Sequence, residues 1–209
     1  MADGLALEGV TIARDGATLL AVDAHVPPGA VLTLMGPSGS GKSTLLALVM
    51  GDLPRGFRAE GRVALDGRDL AGLPPEARRI GILYQDPLLF PHLDVAANLA
   101  FGLPPGGGRA ARREAVRAAL ADVGLDGFGL RDPATLSGGQ GARVALMRTL
   151  LARPRALLLD EPFSKLDATL RAQTRRLVFD RARAARVPVL LVTHDEADAE
   201  AAGGRVISL

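Results

Sequence analysis

The octapeptide Gly36-Pro-Ser-Gly-Ser-Gly-Lys-Ser43, set directly after the apolar run Ala30 to Met35, constrains this chain more than any other feature. A glycine, four residues and then Gly-Lys-Ser between a strand and a helix is the pattern of a backbone that turns tightly and aims consecutive amides at one anion. The following helix points the positive end of its dipole at the same charge. On this reading Gly36, Pro37, Ser38, Gly39, Ser40 and Gly41 wrap phosphate oxygens and Lys42 meets the β and γ phosphates. Ser43 then holds Mg²⁺, and Thr44 lies near the α phosphate. The competing reading is a glycine-rich turn that binds nothing. Lys42 argues against it, because only two of the 25 basic residues are lysines, Lys42 and Lys165. In a chain that otherwise uses arginine, a lysine suggests a place where a compact ammonium fits and a planar fork does not.

The rest of the chain supplies the frame such a loop requires. Leu5 to Thr11, Ala30 to Met35, Ile80 to Tyr84, Ala156 to Asp160 and Val187 to Thr193 read as strands, several of them apolar throughout and so buried on both faces. Helical stretches are expected at Ser43 to Met50, Ala110 to Val123, Gly139 to Leu151, Asp167 to Ala184 and Asp195 to Ala202. The fold class is therefore α/β with a mostly parallel sheet, the phosphate-loop NTPase type. An antiparallel β part is expected near the N-terminus. Turn punctuation at Pro74 and Pro75 and at Pro104 to Gly108 sets off a mostly helical stretch. The expected organisation is an α/β core over 1–87 and 155–209, with a helical subdomain over 88–154 inserted into it.

Two further segments carry chemistry. Ala156-Leu-Leu-Leu-Asp160-Glu161 delivers two carboxylates at the carboxyl end of a buried strand, where open α/β sheets bind ligands. Asp160 suits a Mg²⁺ ligand acting through water, and Glu161 suits the group that orients or deprotonates a water attacking the γ phosphate. Without the phosphate loop, the same acids would serve equally well as a helix cap or surface turn. Leu136-Ser-Gly-Gly-Gln140 opens another helix, with Ser137 as a good N-cap and two glycines leaving amides exposed. Alone it reads as a simple cap. Beside the first loop it makes a second phosphate-seeking helix start, one more than a single bound nucleotide easily needs within one subunit.

Taken in order, the phosphate loop, Gln85, Leu136 to Gln140, Asp160 with Glu161, Ser164-Lys-Leu-Asp167 and His194 make the chain resemble the nucleotide-binding subunit of an ABC transporter over essentially its whole length. The resemblance implies ATP hydrolysis with Mg²⁺ by a head-to-tail homodimer. Each ATP is then held by the phosphate loop of one copy and by Ser137, Gly138, Gly139 and Gln140 of the other. It further implies that Gln85 touches Mg²⁺ and the attacking water, that His194 contacts the γ phosphate, and that Asp167 communicates across the dimer. The stretch Asp86 to Gly102 resembles importer ATPases of the polyamine, thiamine and molybdate type. Leu88, Leu89, Phe90 and Leu93 would help form a groove for a helix of a transmembrane permease, or else be the subdomain's own core. A solute-binding protein is expected as an indirect partner, and the cytoplasmic face of the plasma membrane as the location. Export remains an alternative direction.

The sequence departs from the family at three places. Ala13, Arg14 and Asp15 stand where an aromatic usually lies under the adenine, leaving Arg14 as the planar cation available for the base. Gly141 and Ala142 replace a glutamine-rich stretch, and Lys165 replaces a small or neutral residue. The end at Leu209, soon after His194, leads to the expectation that the regulatory C-terminal domain of some relatives is absent.

Composition narrows the classes. With 48% hydrophobic residues and no long charge run, a compact fold is expected rather than a disordered chain. No cysteine excludes disulfides and thiolate metal sites, and a formal net charge of +2 argues against a protein that coats nucleic acid. Long heptad arms, expected of chromosome-associated relatives, are lacking.

Overall fold

The computed structural model describes residues 3–209. Two β-sheets and seven α-helices are formed among them, and the chain divides into two compact units.

The first unit takes in residues up to Ile82, Arg155–Glu161 and Arg176–Leu209. Its antiparallel sheet is built from β1 (Leu5–Arg14), β2 (Ala17–Val26), β4 (Phe57–Leu65) and the short β5 (Arg68–Asp69), in the order β2-β1-β4-β5. In β2 the residues Leu20, Val22, Ala24 and Val26 are buried and their neighbours exposed, the alternation of a sheet with one face on a core. The second sheet contains β3 (Val31–Met35), β6 (Ile80–Leu83), β7 (Ala156–Asp160), β8 (Val189–Val192) and β9 (Arg205–Ser208), in the order β6-β7-β8-β3-β9. β7 with β8, β8 with β3, and β3 with β9 are parallel. β8 is buried at every position and the first four residues of β3 and of β7 are too, as expected of strands covered on both faces.

This strand order positions the site. β8 lies between β3 and β7, and all three run the same way, so their carboxyl ends emerge side by side. In register, Leu34 and Asp160 both pair with Val192. The segments that begin at Gly36, Glu161 and Thr193 therefore leave one edge of the sheet together. Around the sheets lie α1 (Lys42–Met50) and α2 (Pro75–Arg78). Leu45, Leu46 and Val49 of α1 join the same apolar cluster as Leu34, Leu158 and Val192. Burial of each such side chain contributes about 1.5–3 kcal/mol.

The second unit contains residues 83–154 and 162–175. Its helices α3 (Val95–Gly102), α4 (Arg109–Asp122) and α5 (Gly138–Leu151) bury Leu99, Val116, Leu120, Val144 and Leu146. α6 (Ala168–Ala184) begins in this unit and ends in the first, and α7 (Glu196–Ala202) belongs to the first. The unit is wider than the expected 88–154. It takes up 162–175 because this return segment bonds to it: Lys165 pairs with Asp86, and the backbone oxygen of Lys165 lies 3.3 Å from where a side-chain carbon on Gly139 would stand.

Several elements differ from the sequence expectation. β2, β4, β9 and α3 were not expected as separate elements, and β6 ends at Leu83 rather than Tyr84. No helix among the described residues is long and apolar enough to cross a membrane.

Candidate nucleotide-binding site

After β3 the chain turns through Gly39 and Gly41, both in the left-handed region, with φ of 84° and 88°. At Gly41 a side chain would be strained by the left-handed backbone and would also meet Cβ of Leu20 tightly, at 3.2 Å. Gly41 is the N-cap of α1 and provides no side-chain cap, which leaves the first amides of the helix to an outside acceptor. Lys42 is only 7% exposed. Its ammonium folds back onto the loop, donating to the carbonyl oxygens of Gly36 at 2.8 Å and Pro37 at 2.6 Å and to Oγ of Ser40 at 3.2 Å. Three neutral oxygens thus hold a nearly buried cation among backbone dipoles, a place that favours an anion. Pro37, Ser38 and Gly39 are exposed around it, and Thr44 is half-buried on the first turn of α1.

Asp160 ends β7, with the Ser43 hydroxyl near enough to its carboxyl to favour the ionised form. Burial pushes its carboxyl above the usual range; the neighbouring Glu161 adds to this, while Ser43 and Lys42 oppose it. The next residue, Glu161, takes φ of 47°, a left-handed conformation that non-glycine residues adopt at a cost of about 1–3 kcal/mol. Its amide is tied to the carbonyl oxygen of Val192 at 2.9 Å. Together these turn the Glu161 side chain to His194, whose Nδ1 lies 2.9 Å from Oε1. With the carboxylate ionised, Nδ1 is the donor and Nε2 is left as the other ring nitrogen. The Glu161 side chain is 24% exposed and that of His194 68%, so the pair opens to solvent from the histidine side.

His194 is flanked by residues whose bonds sequence reasoning does not single out. Thr193, 1% exposed, donates through Oγ1 to Oδ2 of Asp198 at 2.8 Å and accepts from the amide of Asp195 at 3.1 Å. Asp195 in turn caps α7, accepting from the amide of Ala197. The available signal is an acid four residues after His194 on a helix that buries Ala199 and Ala202, where a carboxylate needs a partner. Arg14 is placed beside Phe57, its partner across β1 and β4, with the guanidinium 5.3 Å from the ring centre. The aromatic near this cation comes from the other strand, which is why the sequence around Ala13 does not show it.

The remaining expected residues lie in the second unit. Gln85 is exposed in the bend after β6. Ser137 and Gln140 form a reciprocal capping box: the Gln140 amide donates to Oγ of Ser137 at 3.3 Å and the Ser137 amide donates to Oε1 of Gln140 at 3.0 Å. Gly138 and Gly139 occupy the first two helical positions, whose amides have no acceptor within a helix. Asp167 precedes α6 and accepts from the amide of Leu170 at 3.0 Å. The capping reading of both segments is therefore realised locally.

The segment after Gln85 is only partly core. Val95 and Leu99 are buried, whereas Leu88 is 59% and Phe101 67% exposed, and Phe90 packs against Phe101 in a tilted arrangement, 4.6 Å between ring centres. Asn98, fully buried and likewise not foreseen, shapes this loop. It accepts from the amide of Phe90 at 2.9 Å and donates to the carbonyl oxygens of Phe90, Leu93 and Asp94.

Comparison with known proteins agrees with this geometry. The ABC transporter family model matches residues 19–164. The chain is 51% identical to the uncharacterised ABC transporter ATP-binding protein YnjD of Escherichia coli (strain K12), over 86% of this chain and 83% of that one. It is 46% identical to the Fe(3+) ions import ATP-binding protein FbpC 3 of Rhodococcus jostii (strain RHA1), over 99% of this chain and 59% of that one, so it spans about three-fifths of that relative. To the thiamine import ATP-binding protein ThiQ of Rhizobium meliloti (strain 1021) it is 42% identical, over 98% and 85% of the two chains. The dimeric ATP-binding cassette MJ0796, solved in a post-hydrolysis state with ADP and Pi, superimposes with a TM-score of 0.84 at 31% identity, over 98% of this chain and 94% of that one. A buried lysine in a phosphate loop, two carboxylates and a histidine on adjoining strand ends, and these relatives over nearly the whole chain lead to one statement: the chain belongs to the ABC transporter family, among its ATP-binding, ATP-hydrolysing subunits.

Proposed function

We propose that the chain energises solute import by hydrolysing ATP as one of two copies docked on a separate transmembrane permease. The observation that carries the hydrolytic part is the joint emergence of Lys42, Asp160, Glu161 and His194 from three neighbouring parallel strand ends. The backbone N–H groups of residues 38–44 and the Lys42 ammonium bind the phosphates, and Arg14, steadied on Phe57, serves the base. Glu161 orients and deprotonates the attacking water. His194 holds the Glu161 carboxylate through Nδ1–H and, as the imidazolium, in which both ring nitrogens carry a proton, donates from Nε2 to the γ phosphate.

The residues present fit Mg²⁺. Ser43 and Asp160 supply a hydroxyl and a carboxylate oxygen that lie close to one another. No group of three or more histidines and acids able to hold a metal exists among the described residues. That is the donor set of an ion which keeps most of its shell from nucleotide and water. Ser43, Asp160 and Gln85 are its proposed protein ligands, and when bound it supplies charge neutralisation at the phosphates. Ser137, Gly138, Gly139, Gln140 and Asp167 are assigned to the nucleotide of the partner copy in a head-to-tail homodimer. Support for two copies comes from the dimeric cassette, and support for import from the Fe(3+) and thiamine relatives. The exposed Leu88 and Phe101 suit a protein partner, for which the permease is proposed; a solute-binding protein would act only through it.

Glu161→Gln tests the core of this reading. The variant keeps its size and its contact with His194 but loses the base, so hydrolysis should fall about 100-fold or more while ATP binding persists. Native turnover by that variant, measured as phosphate release, would remove Glu161 from the mechanism.

A further inference from the structure

Lys165, the second of the two lysines, has no part in the reading above, yet it touches three of the segments that reading uses. Its ammonium forms an ion pair with Asp86, the residue directly after Gln85. Its stem runs past the start of α5: Cδ lies 3.8 Å from where a side-chain carbon on Gly138 would stand. Its backbone oxygen faces Gly139 at 3.3 Å on the same measure, and two residues later Asp167 caps α6. The ammonium end sits at the surface, with side-chain exposures of 35% for Lys165 and 74% for Asp86.

We propose that Lys165 is a positioning residue that ties the Gln85–Asp86 bend to the Gly138–Gly139 helix start and the Asp167 cap, so that ATP turnover in this chain depends on the Lys165–Asp86 ion pair. The proposal rests on the roles assigned above to Gln85, Gly138, Gly139 and Asp167. A small side chain at 165 would still let Asp167 cap its helix, but nothing from this position would then reach Asp86. A long stem ending in a single cation does both, because it can lie over glycines and still extend to a carboxylate. Being solvent-exposed, such a tie is weak and screened by salt.

Three variants and two readouts test it. Lys165→Met keeps the stem and removes the charge, Asp86→Asn removes the other charge, and Lys165→Asp with Asp86→Lys restores the pair in reverse. Each charge-removing variant should lower kcat about two- to fivefold with KM for ATP nearly constant, and the reversed pair should recover most of it. High salt should lower the native rate towards that of Lys165→Met and leave the variant unaffected. The second readout, amide hydrogen exchange without nucleotide, should show faster exchange in Lys165→Met at Gln140 and Gly141, whose amides bond to Ser137 at the start of α5. Unchanged exchange at these two amides, or a reversed pair that recovers none of the lost kcat, would overturn the tie. Because exchange needs no hydrolysis, it decides for or against the tie even in a chain that proves inactive for other reasons.

Discussion

Two helix starts in this molecule carry glycines and are assigned to phosphate, and they are finished in opposite ways. α1 begins at Gly41 with no side-chain cap, and the cation beside it is held by three neutral oxygens of its own loop. α5 begins at Ser137 with a complete capping box, so its serine and glutamine are satisfied with no ligand. The first start is a site that an anion completes. The second is a stable helix end whose two leading glycine amides remain to be used. A loop that binds a nucleotide in its own subunit can depend on that nucleotide for its last hydrogen bonds. A surface that meets nucleotide on another copy must stand alone between encounters.

Lys42→Ala is the strongest way to break this comparison. A hydrogen bond to a charged group is worth about 1.5–3 kcal/mol, so ATP affinity should fall roughly 10- to 100-fold in a titration. On the proposed reading the ammonium exchanges the loop's carbonyls for phosphate oxygens on binding, so the loss should appear in affinity. Unchanged affinity would mean that the ammonium belongs to the loop and not to the ligand. Gly41→Ala should follow in size. With φ at 88° and Leu20 at 3.2 Å, an alanine costs about 1–2 kcal/mol in backbone strain alone. Denaturant unfolding should record that loss, and an unshifted midpoint would show that the turn relaxes freely.

How much of this is legible in the sequence depends on which force shapes each part. β7 and its two acids are readable to the residue, because a buried parallel strand is a run of apolar side chains with a sharp polar end. The helix at α5 is readable from Ser137 and Gln140, which a capping box fixes locally. β2 carries a visible alternation from Leu20 to Val26, yet it is absent from the expected strands. β4 hides its own, since Arg58, Glu60 and Arg62 pair across the sheet where their charges suggest a loop. Phe57 beneath Arg14, the Asp198 partner of Thr193 and the Lys165–Asp86 pair depend on chain segments meeting in space, and no local spacing announces them. The left-handed turn at Glu161 is of the same kind: a glutamate has no preference for it, and the surrounding strands impose it.

The smallest expected effect gives the finest discrimination. Ser137→Ala removes one bond of the capping box, the one from the Gln140 amide, and should cost about 1 kcal/mol of stability. If capping were the whole role of the serine, ATP turnover would fall no further than the folded fraction does, and at a temperature well below the unfolding transition it would hardly change. If the hydroxyl also meets the nucleotide of a second copy, turnover must drop severalfold while the protein remains folded, and the drop must be in kcat at saturating ATP. Measuring phosphate release and the unfolding midpoint on the same preparation separates the two. A loss confined to stability would leave α5 as a well-capped helix and return the second phosphate site to Gly138 and Gly139 alone.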